Sequence, residues 1–313
     1  MAHNFKKSLG QNFIFDTNLL KSIVSDALVC RGDVVVEVGA GAGTLTKALA
    51  DVAKKVLSFE VDKDLIEPLT QLEKERTNLK FIFEDALKFP IERIHESIHN
   101  AQCTMHNCCE NESKKSDNNE KFPSIEGNYN KDDNNSEFCI LNSELKYKLV
   151  ANLPYYITTP LLFKFLDDEK CESLTMMMQK EVALRVSAKE NTADYGILSV
   201  ICQAMADITY NRTVSRKMFT PPPNVDSAVI TLKRNLKILP AEVEHFKRVV
   251  KSAFAMRRKT LSNNLMKEFS LPREKILNIL QKMGKNENIR GETLSVGEFI
   301  ELTRLIQCTM HNA

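Results

Sequence analysis

Val34-Val35-Val36-Glu37-Val38-Gly39-Ala40-Gly41-Ala42-Gly43-Thr44-Leu45-Thr46 decides the fold class. The apolar run reads as a parallel strand buried on both faces, the glycines as a tight turn, and Thr44 to Ala50 as a helix. Glycines in such a turn let the backbone approach a ligand closely. A dinucleotide fingerprint, G-x-G-x-x-G, would need its third glycine at position 44, which is Thr44. Here the third glycine comes one place early, at Gly43. Glu37 just before the turn would sit badly against a pyrophosphate and well near an ammonium group. The combination suits the methionine part of S-adenosyl-L-methionine better than a nicotinamide dinucleotide. A glycine turn alone is weak evidence, so the following strands must agree.

They do. Lys55-Val56-Leu57-Ser58-Phe59-Glu60 is a second short strand ending in an acid, at the distance where an acid meets ribose hydroxyls. Leu79 to Ala86 ends in Glu84 and Asp85, and Asp85 is placed to accept from an adenine amino group. Each acid taken singly reads more simply as a solvated strand end. Successive strands ending this way favour a binding edge, because ligands of open α/β sheets gather at the carboxyl ends of strands.

The fourth strand end is Asn152-Leu153-Pro154-Tyr155, after the apolar run 148–151. An exocyclic amine of adenine or cytosine is a poor nucleophile, because its lone pair is delocalised into the ring. A site that alkylates it must accept hydrogen bonds from its N–H groups and hold the base by a face. Asn152 offers one acceptor. The Leu153 carbonyl offers a second where Pro154 interrupts the ladder. The Tyr155 ring can stack on an unpaired base. The plainer reading, a strand end followed by a proline turn, is common in α/β proteins and would win if the four residues stood alone.

Five stretches together resemble the rRNA adenine N6-dimethyltransferase family, with the bacterial small-subunit branch the nearest likeness. They are Lys7-Ser8-Leu9-Gly10-Gln11-Asn12-Phe13, 36–43, 152–155, Phe219-Thr220-Pro221-Pro222-Pro223-Asn224-Val225-Asp226-Ser227-Ala228-Val229, and Phe254-Ala255-Met256-Arg257-Arg258-Lys259-Thr260-Leu261. The resemblance covers most of the chain outside about 96–145. It implies an α/β fold: a Rossmann-like class I S-adenosylmethionine-dependent methyltransferase domain with a small all-helical C-terminal domain. It implies that Asn12, Ile14, Gly39, Glu60, Asp85 and Asn152 contact S-adenosyl-L-methionine, to which the glycine turn adds Gly41. Position 14 is usually Leu in the family, and Ile14 leaves a backbone contact there in place. Asn152, Leu153, Pro154 and Tyr155 would form the catalytic motif, with Tyr155 and Phe219 enclosing the adenine. The implied partner is small-subunit rRNA within an immature 30S subunit, met by a monomer in the cytoplasm.

Composition agrees with that frame. A chain of 313 residues with 43% hydrophobic content can hold one large and one small domain. No run of about eighteen uncharged apolar residues suggests a membrane span, and the polar start does not resemble a signal peptide. Eight scattered cysteines without paired spacing read as reduced and cytoplasmic. The net charge of +2 hides a division: residues 236–313 hold 14 Lys and Arg against 8 Asp and Glu. A basic end suits a phosphate-rich substrate, although a solvated helix face explains so small a margin equally well. Arg257, Arg258 and Lys259, read as one helix turn, sharpen the RNA reading, since adjacent cations repel unless an anion is near. Lys6 and Lys7 extend it at the N-terminus.

The pattern predicts domains at 1–235 and 236–313. Within the first, a helix from Asp16 to Leu28 is capped at Asp16 or Thr17, and about seven strands form a doubly wound sheet. Helical spacing recurs at 243–254, 273–283 and 296–306. The segment 96–145 interrupts this order. Its stretch 110–137 has 8 acidic residues, 4 lysines and almost no aliphatic residues, which predicts disorder. Gln102-Cys103-Thr104-Met105-His106-Asn107 recurs as Gln307 to Asn312, which suggests duplicated coding sequence. His95, His99, Cys103, His106, Cys108 and Cys109 match no standard zinc spacing, so no metal is expected. Two rivals remain: a large-subunit rRNA adenine methyltransferase of the resistance type, and a non-catalytic ribosome-assembly factor.

Overall fold

The computed structural model describes residues 12–100 and 145–311. Lys6, Lys7 and most of the 96–145 insertion, including Cys103, His106, Cys108 and Cys109, lie outside the described residues.

The sheet has seven strands. Val34–Val38 (β2), Lys55–Phe59 (β3), Leu79–Ile82 (β4), Tyr147–Asn152 (β5), Cys171–Gln179 (β6), Ala206–Val214 (β7) and Ser227–Arg234 (β9) lie in the order β4-β3-β2-β5-β6-β9-β7. The first five are parallel, and β9 runs antiparallel to both β6 and β7. Every residue of β2 is buried, as a strand covered on both faces must be. The Met176-Met177-Met178 run is buried too and packs in the core. Two further residue pairs, Phe13–Ile14 (β1) with Phe219–Thr220 (β8), make a separate two-stranded ladder.

Helices cover both faces. Thr17–Asp26 (α1) starts at Asp16, whose carboxylate accepts from the Leu19 amide at 2.7 Å, so the cap falls where the sequence suggests. Thr44–Ala50 (α2) follows the glycine turn, and Ile66–Glu75 (α3) joins β3 to β4. Residues 91–100 form α4, with Ile94 and Ile98 buried one turn apart. The predicted insertion therefore begins later than 96, because those two isoleucines give the helix an apolar stripe to bury. Thr158–Asp167 (α5), Lys180–Ser187 (α6) and Ile197–Met205 (α7) complete this part.

From 240 onward the chain is helical: Val243–Ala253 (α8), Leu261–Phe269 (α9), Arg273–Lys282 (α10) and Val296–His311 (α11). Sequence reading missed α9, since Ser262, Asn263 and Asn264 blunt its apolar stripe. Both α8 and α11 pack against α7, and one apolar cluster runs unbroken from β2 to Ile306. The buried Lys247 ammonium adds a polar tie, donating to both carboxylate oxygens of Asp167 at 2.7 and 2.9 Å. Among the described residues no helix is long and apolar enough to cross a membrane.

Candidate active site

The chain runs β2, β3, β4 outward and then crosses back to place β5 on the other side of β2, so the strand order reverses between β2 and β5. A crevice opens at such a switch point, beyond the carboxyl ends of the strands. Here the crevice is a cleft lined by Asn12, Ile14, Gly39, Gly41, Glu60, Asp85, Asn152, Leu153, Pro154, Tyr155 and Phe219, among others. Apart from Glu37, every described residue predicted for donor or base binding thus faces one cavity.

The glycine turn is shaped by what surrounds it. Gly39 has φ +83° and Gly41 φ +54°, a backbone region that L side chains rarely adopt. A Cβ on Gly41 would lie 2.7 Å from the Phe13 ring, and one on Gly39 would lie 3.3 Å from the Asn152 carbonyl oxygen. Glu60, just past β3, ties the turn down. Its Oε2 accepts from the Gly41 amide at 2.7 Å, and its Oε1 accepts from the Val61 and Asp62 amides at 2.8 Å each. A carboxylate has about four acceptor positions, so capacity remains for a ligand hydroxyl. Asp85 is more open: its Oδ1 accepts from the Leu87 amide at 2.9 Å, and its Oδ2 lies 3.8 Å from the Lys88 ammonium.

Asn152 is the last residue of β5, paired with Met177, and Leu153 lies beyond the last registered pair. The Asn152 side-chain amide donates to the Asn12 carbonyl over a long 3.4 Å. Tyr155 is half-buried, and its hydroxyl shares a 2.8 Å hydrogen bond with Ser227, which fixes the ring's tilt. Burial raises its pKa; the Ser227 bond opposes that shift and the Asp226 charge adds to it. Phe219 enters through the ladder with Ile14, which sequence spacing could not have shown. It is only 4% exposed, so it offers a base little free face as it stands.

Two sequence readings need correction. Glu37 does not face the cleft. It is fully buried, its Oε2 accepting from Thr46 and Ser58 hydroxyls at 2.6 Å each, because β-strand alternation turns it with Val35 under α2. Burial raises its carboxyl pKa to about 7, with both hydroxyl bonds opposing. Arg257, Arg258 and Lys259 do not lie on a helix. They occupy the exposed turn between α8 and α9, where Arg257 donates to the Ala193 carbonyl at 2.9 Å. His95, one of the residues whose spacing matches no standard zinc site, pairs with Asp168 at 2.8 Å. Sequence reading also missed Lys164 on α5, whose ammonium reaches three carbonyls beside Asp85.

The cleft fits S-adenosyl-L-methionine. Its glycine cradle leaves no room for a Cβ at Gly41, its two acids stand at separate strand ends, and the exposed Val61 adds an apolar side chain to the lining.

Comparison with known proteins agrees with this geometry. A family model described as ribosomal RNA adenine dimethylase matches residues 2–307. A ribosomal RNA small subunit methyltransferase A from Clostridium botulinum (strain Okra / Type B1) is 38% identical over 306 residues, covering 96% of this chain and 94% of its own. Among solved structures, a dimethyladenosine transferase from Plasmodium falciparum superposes with a TM-score of 0.66 at 22% identity, covering 93% of this chain and 95% of its own. The 23S rRNA methyltransferase ErmE gives a TM-score of 0.63 at 22% identity, covering 95% of this chain and all of its own. At that identity both structures speak for the fold, a class I methyltransferase, and not for the RNA.

Proposed function

Because the chain belongs to the ribosomal RNA adenine dimethylase family, we propose that it dimethylates N6 of two adjacent adenosines in the 3′-terminal hairpin of 16S rRNA. The supporting observation is the meeting, in one cleft, of Gly39, Glu60 and Asp85 with Asn152, Tyr155 and Phe219. S-adenosyl-L-methionine, when bound, supplies an electrophilic methyl group on a sulfonium.

The chain's own residues do the rest. Asn12, Ile14, Gly39 and Gly41 line the donor side, Glu60 takes ribose hydroxyls, and Asp85 takes the donor's adenine amino group. The Asn152 side-chain oxygen and the Leu153 carbonyl each accept one N–H of the target amine. That pairing favours a lone pair localised on nitrogen. Pro154 has no N–H to compete, and Tyr155 stacks on the flipped base with its ring held by Ser227. Phe219 closes the other face once β1 and β8 give way. The methylated amine is acidic enough to shed a proton to water, so catalysis rests on orientation and electrostatics rather than on a strong base.

Residues 1–235 act as the methyltransferase domain and 236–313 as an RNA-facing domain, with Arg257, Arg258 and Lys259 on phosphates and Lys6 and Lys7 adding to them. The protein works as a cytoplasmic monomer on the immature 30S subunit. Incubating immature 30S subunits with isotopically labelled donor and mapping modified nucleotides by primer extension tests the proposal. Two adjacent dimethyladenosines near the 3′ end of 16S rRNA are expected, and 30S subunits that take up no label, or take it up at other adenosines, would refute it.

A further inference from the structure

Residues 85–89, which carry Asp85 into the cleft, form a single tight turn closed by the Lys88 and Phe89 amides donating to the Asp85 carbonyl at 3.0 and 2.9 Å. Like the end of a helix, such a turn leaves later carbonyls without partners inside it. Three of them converge on one side chain. The Lys164 ammonium donates to the Ala86 carbonyl at 2.7 Å, to the Leu87 carbonyl at 3.1 Å, and to the Phe89 carbonyl. An ammonium has three donors and no acceptor, so the turn takes its whole capacity. The group is half-buried: desolvation lowers its pKa, opposed by the charges of Asp85 and Glu92. A half-buried cation held by neutral carbonyls of one turn points to a demand for rigidity there.

The same helix links both sides of the cleft. Lys164 stands six residues into α5 from Thr158, about 9 Å of helix, and α5 follows directly on 152–157.

We propose that Lys164 is a positioning residue for donor recognition: it locks the 85–89 turn so that Asp85 meets the 6-amino group of the donor's adenine. This rests on the reading of Asp85 given above. With Lys164 gone, three carbonyls lose their partner and the turn relaxes, while Glu60 and the glycine turn, held by their own bonds, stay in place.

Calorimetric titration of the full-length protein with S-adenosylhomocysteine, and with its analogue carrying a 6-oxo group in place of the 6-amino group, tests this. The unaltered protein prefers the adenosyl ligand. Lys164→Met weakens adenosyl binding about tenfold, the scale of one charge-assisted contact, leaves the 6-oxo analogue within about twofold, and so erodes the preference. Lys164→Arg restores part of it, since a planar fork cannot meet three converging carbonyls. A Lys164→Met protein that keeps the preference, or that loses both ligands by one common factor, overturns the proposal. Asp85→Ala provides the separate control: if that variant still prefers the amino ligand, the reading of Asp85 itself is wrong.

Discussion

Strand β5 begins at Tyr147 and ends at Asn152, and its two ends are built to opposite specifications. At the beginning, the Tyr147 hydroxyl donates to Asp168 at 2.6 Å, His95 pairs with the same oxygen at 2.8 Å, and the Lys170 amide donates to the other at 3.0 Å. That carboxylate is buried and surrounded by partners from the chain itself. At the other end, among the described residues, Asn152 makes a single long side-chain bond, Glu60 is held by backbone amides alone, and Asp85 stands partly open. Polar groups saturated by their own chain add stability and specificity of packing. Those left with spare capacity at a strand end can exchange it with a ligand. Asn152 and Asp85 carry the contrast; Glu60, as buried as Asp168 and also accepting three bonds, differs from it by lining the cleft.

Mutation can break that contrast. The largest effect is expected for Asn152→Ala, which should lower methyl transfer to 30S subunits by about 10²–10³-fold, the loss typical of one transition-state acceptor or donor. Its thermal unfolding should stay unchanged, and an equal fall in melting temperature would place Asn152 with the structural end.

Glu37 provides a sharper case, an acid near the cleft that nonetheless belongs to the interior. Its pKa is raised to about 7, so folding takes up a proton between the ordinary carboxylate range and neutrality. Stability should therefore fall as pH rises from about 4.5 to 7 and level off above. Urea melts should show Glu37→Gln gaining on the parent protein across that window, by up to about 3 kcal/mol. A constant difference across that range would mean that Glu37 does not titrate there.

Asp168→Ala should cost about 2–3 kcal/mol of stability by stranding the Tyr147 hydroxyl and His95, yet leave turnover per folded molecule intact. Loss of turnover with stability preserved would reverse the assignment of the two ends. Arg258→Gln should have the smallest effect: filter-binding titrations should show RNA affinity falling a few-fold and the salt-dependence slope shrinking by about one. An unchanged slope would leave that turn without a phosphate.

How far the sequence carried depends on the range of the forces involved. Strand β2, the glycine turn and the Asp16 cap are local, fixed by alternation, φ and hydrogen bonds within four residues, and they were legible. Glu60, Asp85 and Asn152 were legible as well, because a parallel sheet brings strand ends to one edge whatever its detailed order. Phe219 was placed by family likeness alone, since a two-residue ladder to Ile14 has no periodic signature. Glu37 was misread because alternation, not nearness to the glycines, decides which way it points. Lys164 was invisible: a lysine on an amphipathic helix ordinarily reads as a solvated charge, and the carbonyls it serves lie some 75 positions away. The basic triplet was put on a helix because charge says nothing about where α8 ends.

Ile14 does two jobs at once. Its ladder partner is Phe219, and its carbonyl accepts from the Thr44 hydroxyl at 2.9 Å, where α2 begins. Any shift that uncovers Phe219 for a purine must therefore tug on the roof above the glycine turn. We expect the two substrates to bind in a compulsory sequence, one settling the roof before the other lifts its edge. Product-inhibition patterns indicating random addition would mean that the stitch at Ile14 is too slack to impose any sequence.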